Sequence, residues 1–140
     1  MKYVVSACLA KENCRYDGKN CKDERVEKLL KEGKAVLVCP EVAGGLGIPR
    51  VPGEIRNNRV INAEGKDVTE AFEKGALLSL ETALKEGCRC AILKSRSPSC
   101  GLGKIYDGSF SGKLSEGNGI FAQLLLDQGF EVYSEETFEE

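Results

Sequence analysis

The chain has 140 residues, 41% of them apolar and 30% charged, and a net charge of −2. That fits one globular domain over residues 1–140 and gives no basic surplus to attract nucleic acid or an anionic membrane. Seven cysteines and no histidine exclude Ser-His-Asp and Cys-His catalysis, imidazole bases and histidine-ligated zinc.

The first apolar run is too short for a signal peptide, and none approaches the roughly 20 residues of a membrane helix. The expected address is cytoplasmic, where an odd number of cysteines favours metal or thiol chemistry over disulfides. KYVVSA (2–7) reads as a buried strand that stops at Cys8. DERVEKLLKEG (23–33) reads as a helix with Asp23 as N-cap, Val26, Leu29 and Leu30 on one face, and Gly33 as its stop. KAVLV (34–38) is a second buried strand, stopping at Cys39. CPEVAGGLGIPRVPGE (39–54) holds three of the four prolines and Gly44, Gly45, Gly47 and Gly53, which predicts no regular structure. Its glycines match neither a P-loop nor a dinucleotide fingerprint, and read as a tight turn with close backbone approach. Arg50 and Glu54 read as an ion pair fixing this loop in preference to a pair that reaches ligand.

RVINAEGKD (59–67) is a short extended piece with a turn at Glu64–Gly65. Asp67, at capping-box spacing from Glu70, opens the longest helix, whose apolar face includes Ala71, Leu78 and Ala83 and which Gly87 ends. CRCAILKS (88–95) is a third strand running into SPSCG. KIYDGSFSGK (104–113) is a site loop or small hairpin. GNGIFAQLLLDQG (117–129) is a last helix, and FEVYS (130–134) a last strand followed by a frayed acidic tail.

Strands alternating with helices predict an α/β fold: a mainly parallel sheet with helices on both faces and ligands at the carboxyl ends of the strands. Cys8, Cys39 and Cys100 each follow a predicted strand, beside glycine, proline or a turn, so three distant thiols converge on one edge. Two readings stand side by side: three small buried hydrophobes, or a shared three-thiolate site, either a zinc centre with an open position or an iron–sulfur cluster with one iron free of cysteine. Cys88 and Cys90 read as small buried hydrophobes. Cys14 and Cys21 read as surface thiols, a redox pair or a second metal pair, with no specific spacing to choose among them. Arg15, Tyr16 and Asp17 are placed to reach the same edge.

SACL followed by CRYDG, CPEVAGGLGIPRVPGEI, DVTEAF-KGA, AILKSRSPSCG, IYDGSFSG and GNGIFAQLL occur in order from about Ser6 to Ser134. Together they resemble the thiouracil desulfidase family. The resemblance implies a Rossmann-like domain holding a [4Fe–4S] cluster through Cys8, Cys39 and Cys100, and non-redox removal of sulfur from thiouracil-type bases to give sulfide and the oxo base. It matches Glu41 to the family's acid–base glutamate and Ser97 to its assisting serine, with Ser99 close by. Arg15, Tyr16, Asp17, Ser99 and Tyr106 are the expected substrate contacts. One departure is Cys14, just before RYDG, where relatives commonly have no cysteine. Larger relatives acting on transfer RNA carry an additional domain, so a free base or nucleoside is the expected substrate here. Monomer and homodimer both remain open. The rival readings are a three-thiolate zinc hydrolase and an iron–sulfur or metal-binding module without turnover.

Overall fold

A computed structural model describes residues 2–10, 16–18 and 22–138. Cys14, Arg15 and Cys21 lie outside the described residues. The central sheet has four strands, β1 (Tyr3–Ser6), β2 (Ala35–Val38), β5 (Cys90–Leu93) and β8 (Glu131–Ser134), in the order β2-β1-β5-β8. Every pairing in it is parallel.

Period-two alternation sorts the side chains of the strands into two layers. Val4, Ala91 and Leu93 face one core, with Ala76, Leu80 and Ala83 of α3 (Thr69–Lys85) and Phe121, Ala122 and Leu125 of α4 (Ile120–Asp127). Val5 and Ile92 face the other, with Val26 of α1 (Glu24–Lys31) and Phe138. Two small antiparallel hairpins stand apart from this sheet: β3 (Gly53–Arg56) with β4 (Arg59–Asn62), and β6 (Lys104–Tyr106) with β7 (Leu114–Glu116). Among the described residues no helix is long and apolar enough to cross a membrane.

Several expectations are corrected. Residues 39–54 are not wholly irregular, because Pro40–Ala43 forms one helical turn, α2, and Gly53 begins β3. Proline at the first helical position loses no hydrogen bond, since that N–H has no partner within a helix. The long helix begins at Thr69, not Asp67, and its N-cap residue is Val68. Asp67 instead caps from one residue further out, where its Oδ1 accepts from the Thr69 N–H at 2.9 Å. The buried face of α3 runs through Phe72, Ala76, Ser79, Leu80 and Ala83, while Leu78 is exposed. The tail is not frayed as far as Phe138. That ring is buried against Tyr3 and Tyr133, under the Arg25 guanidinium, which also donates to the Phe138 carbonyl.

Candidate functional site

Strands β2, β1 and β5 are neighbours and point the same way, so their carboxyl ends form one edge. β1 leads to β2 on one side and β5 lies on the other, which makes the β1/β5 boundary a topological switch point, where open α/β sheets bind ligands. Cys8 sits in the 3-10 turn Ala7–Ala10 directly after β1, and Cys39 directly follows β2. Cys100 lies in the turn that follows β5. All three line one cavity of about 430 Å³, together with Glu41, Arg50, Ser97 and Ser99.

Glycine contacts lock the segments that carry these side chains. α2 packs on α3 so closely that a Cβ on Gly75 would lie 1.7 Å from the Pro40 carbonyl oxygen, and one on Gly44 would lie 1.9 Å from that of Ala71. The Cys100 turn is held from the other side by the start of α4. The Ile120 N–H donates to Pro98 O at 2.9 Å and the Phe121 N–H to Ser99 O at 2.8 Å. A Cβ on Gly119 would meet the Ser99 carbonyl carbon at 2.4 Å. The glycine-rich approach to α4 thus exists for backbone contact with the cysteine turn. Within that turn the Ser97 Oγ accepts from the Ser99 and Cys100 N–H groups, each at 3.1 Å.

Glu41 uses its two oxygens in different directions. The Arg50 Nε donates to Oε1 at 3.2 Å, and the Ser99 Oγ donates to Oε2 at 3.1 Å. Ser99 is buried and its hydroxyl also lies 3.6 Å from the Cys100 Sγ and 3.0 Å from the Ser97 Oγ. Ser99 is therefore the serine in direct contact with Glu41, and Ser97 stands one link behind it. The expected Arg50–Glu54 pair does not form. Arg50 is drawn to Glu41 and to the Gly47 carbonyl, while Glu54 accepts from the Gly108 and Phe110 N–H groups of the β6–β7 loop. Tyr16 and Tyr106 line the cavity, whereas Asp17 is exposed and does not.

The cavity edge also uses residues that sequence reasoning did not single out. The Ser6 hydroxyl accepts the Lys94 N–H at 2.9 Å, joining the ends of β1 and β5, and it also bonds to Cys100. Glu135, just past β8, accepts from the Ser95 N–H and pairs with Lys94, both at 2.7 Å. A serine at a strand end carries no sequence signal for this. The Lys94–Glu135 pair spans 41 positions and is equally silent.

Burial pushes the Cys100 thiol up to about 12, with the nearby Glu41 and Cys39 adding to it and the Ser6 and Ser99 hydroxyls only partly offsetting it. On its own this sulfur keeps its proton at neutral pH and is no nucleophile. A soft metal centre that displaces the proton would make it a ligand. Among the described residues no three His, Cys, Asp or Glu side chains are gathered tightly enough for a single metal ion. One zinc, with Zn–S of about 2.3 Å, needs thiolates roughly 4 Å apart. An iron–sulfur cluster carries its irons at separate corners and takes thiolates spread more widely. The all-sulfur donor set, with no histidine available in the chain, suits an iron–sulfur cluster. Cys88 and Cys90 are buried, and burial raises both thiols. None of the five described cysteines is in a disulfide.

Comparison with known proteins agrees with this architecture. Over 94% of its length the chain is 42% identical to YbbK of Bacillus subtilis, covering 94% of that protein. It is 44% identical to a solved structure, the [4Fe–4S]-dependent thiouracil desulfidase TudS, with a TM-score of 0.92 over 96% of this chain and 91% of that one. Residues 3–137 match the model of the 2-thiouracil desulfurase family. The chain belongs to that family.

Proposed function

We propose that this protein removes sulfur from 2-thiouracil-type bases by hydrolysis, using a [4Fe–4S] cluster held by Cys8, Cys39 and Cys100. The observation that carries the reading is the convergence of these three thiols, from the ends of three adjacent parallel strands, on one cavity shared with the Glu41–Ser99 pair. When bound there, such a cluster supplies a Lewis-acidic iron free of protein thiolate, suited to the sulfur of a thiocarbonyl.

The protein's own groups do the proton work. Each Glu41 oxygen holds one hydrogen bond and keeps lone-pair capacity for water. Glu41 accepts the proton of the attacking water. Arg50 and Ser99 fix the direction of the carboxylate during that step. Ser99 also bridges Glu41 and Cys100, and Ser97 holds the Ser99 and Cys100 backbone in place. The proton then returns to the departing sulfur. One water is consumed, one sulfide leaves, and no net electron moves. Tyr16 and Tyr106 contact the base, and Arg15 is the companion contact proposed from the sequence. The net charge of −2 supports a free base or nucleoside as substrate in preference to a polyanionic RNA.

Anaerobic reconstitution of single cysteine-to-serine variants tests the ligand set. Cys8→Ser, Cys39→Ser and Cys100→Ser should each lose iron and the broad absorption near ~400 nm expected of such a cluster. Cys88→Ser and Cys90→Ser should keep both. Loss of the cluster in Cys88→Ser as complete as in Cys100→Ser would overturn the assignment.

A further inference from the structure

The β6–β7 loop supplies another part of the same cavity lining, and one residue in it is out of character. Phe110 lines the cavity, yet it is 41% exposed. Its φ is +56°, a left-handed conformation that a bulky side chain rarely adopts. Strain of that kind persists where the surroundings over-determine it, and it gathers at binding sites. The surroundings do so here. The Glu54 Oε1, on β3, accepts the Gly108 N–H at 3.1 Å and the Phe110 N–H at 3.2 Å. Gly108 lies so near β3 that a Cβ on it would stand 2.6 Å from the Arg56 Cβ and 3.0 Å from the Ile55 carbonyl oxygen. The loop is therefore fixed to β3, with its one large apolar side chain left in the cavity instead of a core.

We propose that Phe110 stacks on the ring of the thiolated base, with Glu54 as the positioning residue that holds it there. This rests on the desulfidase reading and extends it to the ring. Glu41, Ser99 and Arg50 offer hydrogen bonds and charge, which suit the edge of a pyrimidine and its thiocarbonyl. A planar apolar face is what the ring itself requires, and an aromatic side chain supplies it without regard to ring substituents. Because Phe110 belongs to none of the buried core clusters, its removal opens no hole in a core.

The test uses the reconstituted holoprotein and reads iron content, steady-state kinetics on 2-thiouracil, and inhibition by uracil. Removing a stacking aromatic should raise KM and the uracil inhibition constant about 5- to 150-fold in Phe110→Ala, with iron and kcat maintained. Phe110→Tyr keeps the ring and should behave as wild type. Glu54→Ala should move KM in the same direction. Glu54→Gln, whose amide oxygen still accepts both N–H groups, should restore most of the affinity. Unchanged KM and uracil inhibition in Phe110→Ala would overturn the inference while leaving the desulfidase reading intact. So would a Glu54→Ala protein that loses kcat or iron without a change in KM. Wild-type holoprotein that releases no sulfide from 2-thiouracil would sink the reading itself, and this inference with it.

Discussion

Glu41 stands two residues after Cys39, and Pro40 between them fixes its own φ. That much is legible in the sequence, because all three residues are contiguous. What the carboxylate touches is not, since Arg50 and Ser99 reach it across a bend and across the sheet edge. Arg50 had a nearer acid in sequence, Glu54, but β3 turns that carboxylate toward the β6–β7 loop. Glu41→Gln preserves shape and hydrogen bonding while removing the base. Its turnover should fall by about 10²–10⁴-fold with iron unchanged, the usual contribution of a general base. Iron analysis beside the rate separates this outcome from structural damage. A variant with iron and wild-type turnover would show that Glu41 is not the base. Ser99→Ala should lower turnover more than Ser97→Ala lowers it relative to iron bound, because Ser99 alone of the two touches Glu41.

At the scale of elements, β1, β2 and β5 were visible as β-branched and apolar runs, and their ends located the three cysteines. α2 was hidden because glycine and proline usually signal breaks, whereas here proline starts the turn and glycine ends it. The reason for Gly75 was also hidden, since its neighbour Pro40 is 35 positions away in sequence and the contact is to backbone. Gly75→Ala cannot be relieved by a rotamer change. It should destabilise the protein by about 1–3 kcal/mol or more and lower the iron retained at Cys39, as read from a denaturant melt and an iron assay. Leu77→Ala, on the exposed side of the same helix, should change stability by no more than about 0.5 kcal/mol. The start of α3 predicts a pH effect. Hydrogen bonds from Arg59 and Thr69 hold the Asp67 carboxyl down at about 2, below its ordinary 3.8. A lowered folded-state pKa stabilises the protein above the unfolded value, and that stabilisation is lost as pH falls through about 2. Asp67→Asn should therefore flatten the fall in melting temperature between the two values. An unchanged acid limb would show that this cap carries no pH-dependent stability.

For the whole molecule, the alternation of strands and helices foretold a parallel sheet with a cavity at the carboxyl ends of its strands. The order of the strands decides more, because placing β1 between β2 and β5 is what brings Cys8, Cys39 and Cys100 to one cavity. Long-range tethers such as Lys94–Glu135 and Arg25–Phe138, which tie the last residues to the sheet edge and to α1, left no local pattern to read. Overall charge yields a further prediction: desulfidation of thiouracil should vary little with salt, and thiolated transfer RNA should be a poor substrate, since phosphate-driven binding weakens steeply with salt. Fast, salt-sensitive turnover of transfer RNA would contradict it. The most direct test of the central claim is product stoichiometry: reconstituted holoprotein is incubated anaerobically with 2-thiouracil, without any electron donor, and uracil and sulfide are measured together. Hydrolytic desulfidation predicts one sulfide per uracil over many turnovers. A strict requirement for a reductant, or no sulfide from iron-loaded protein, would contradict it.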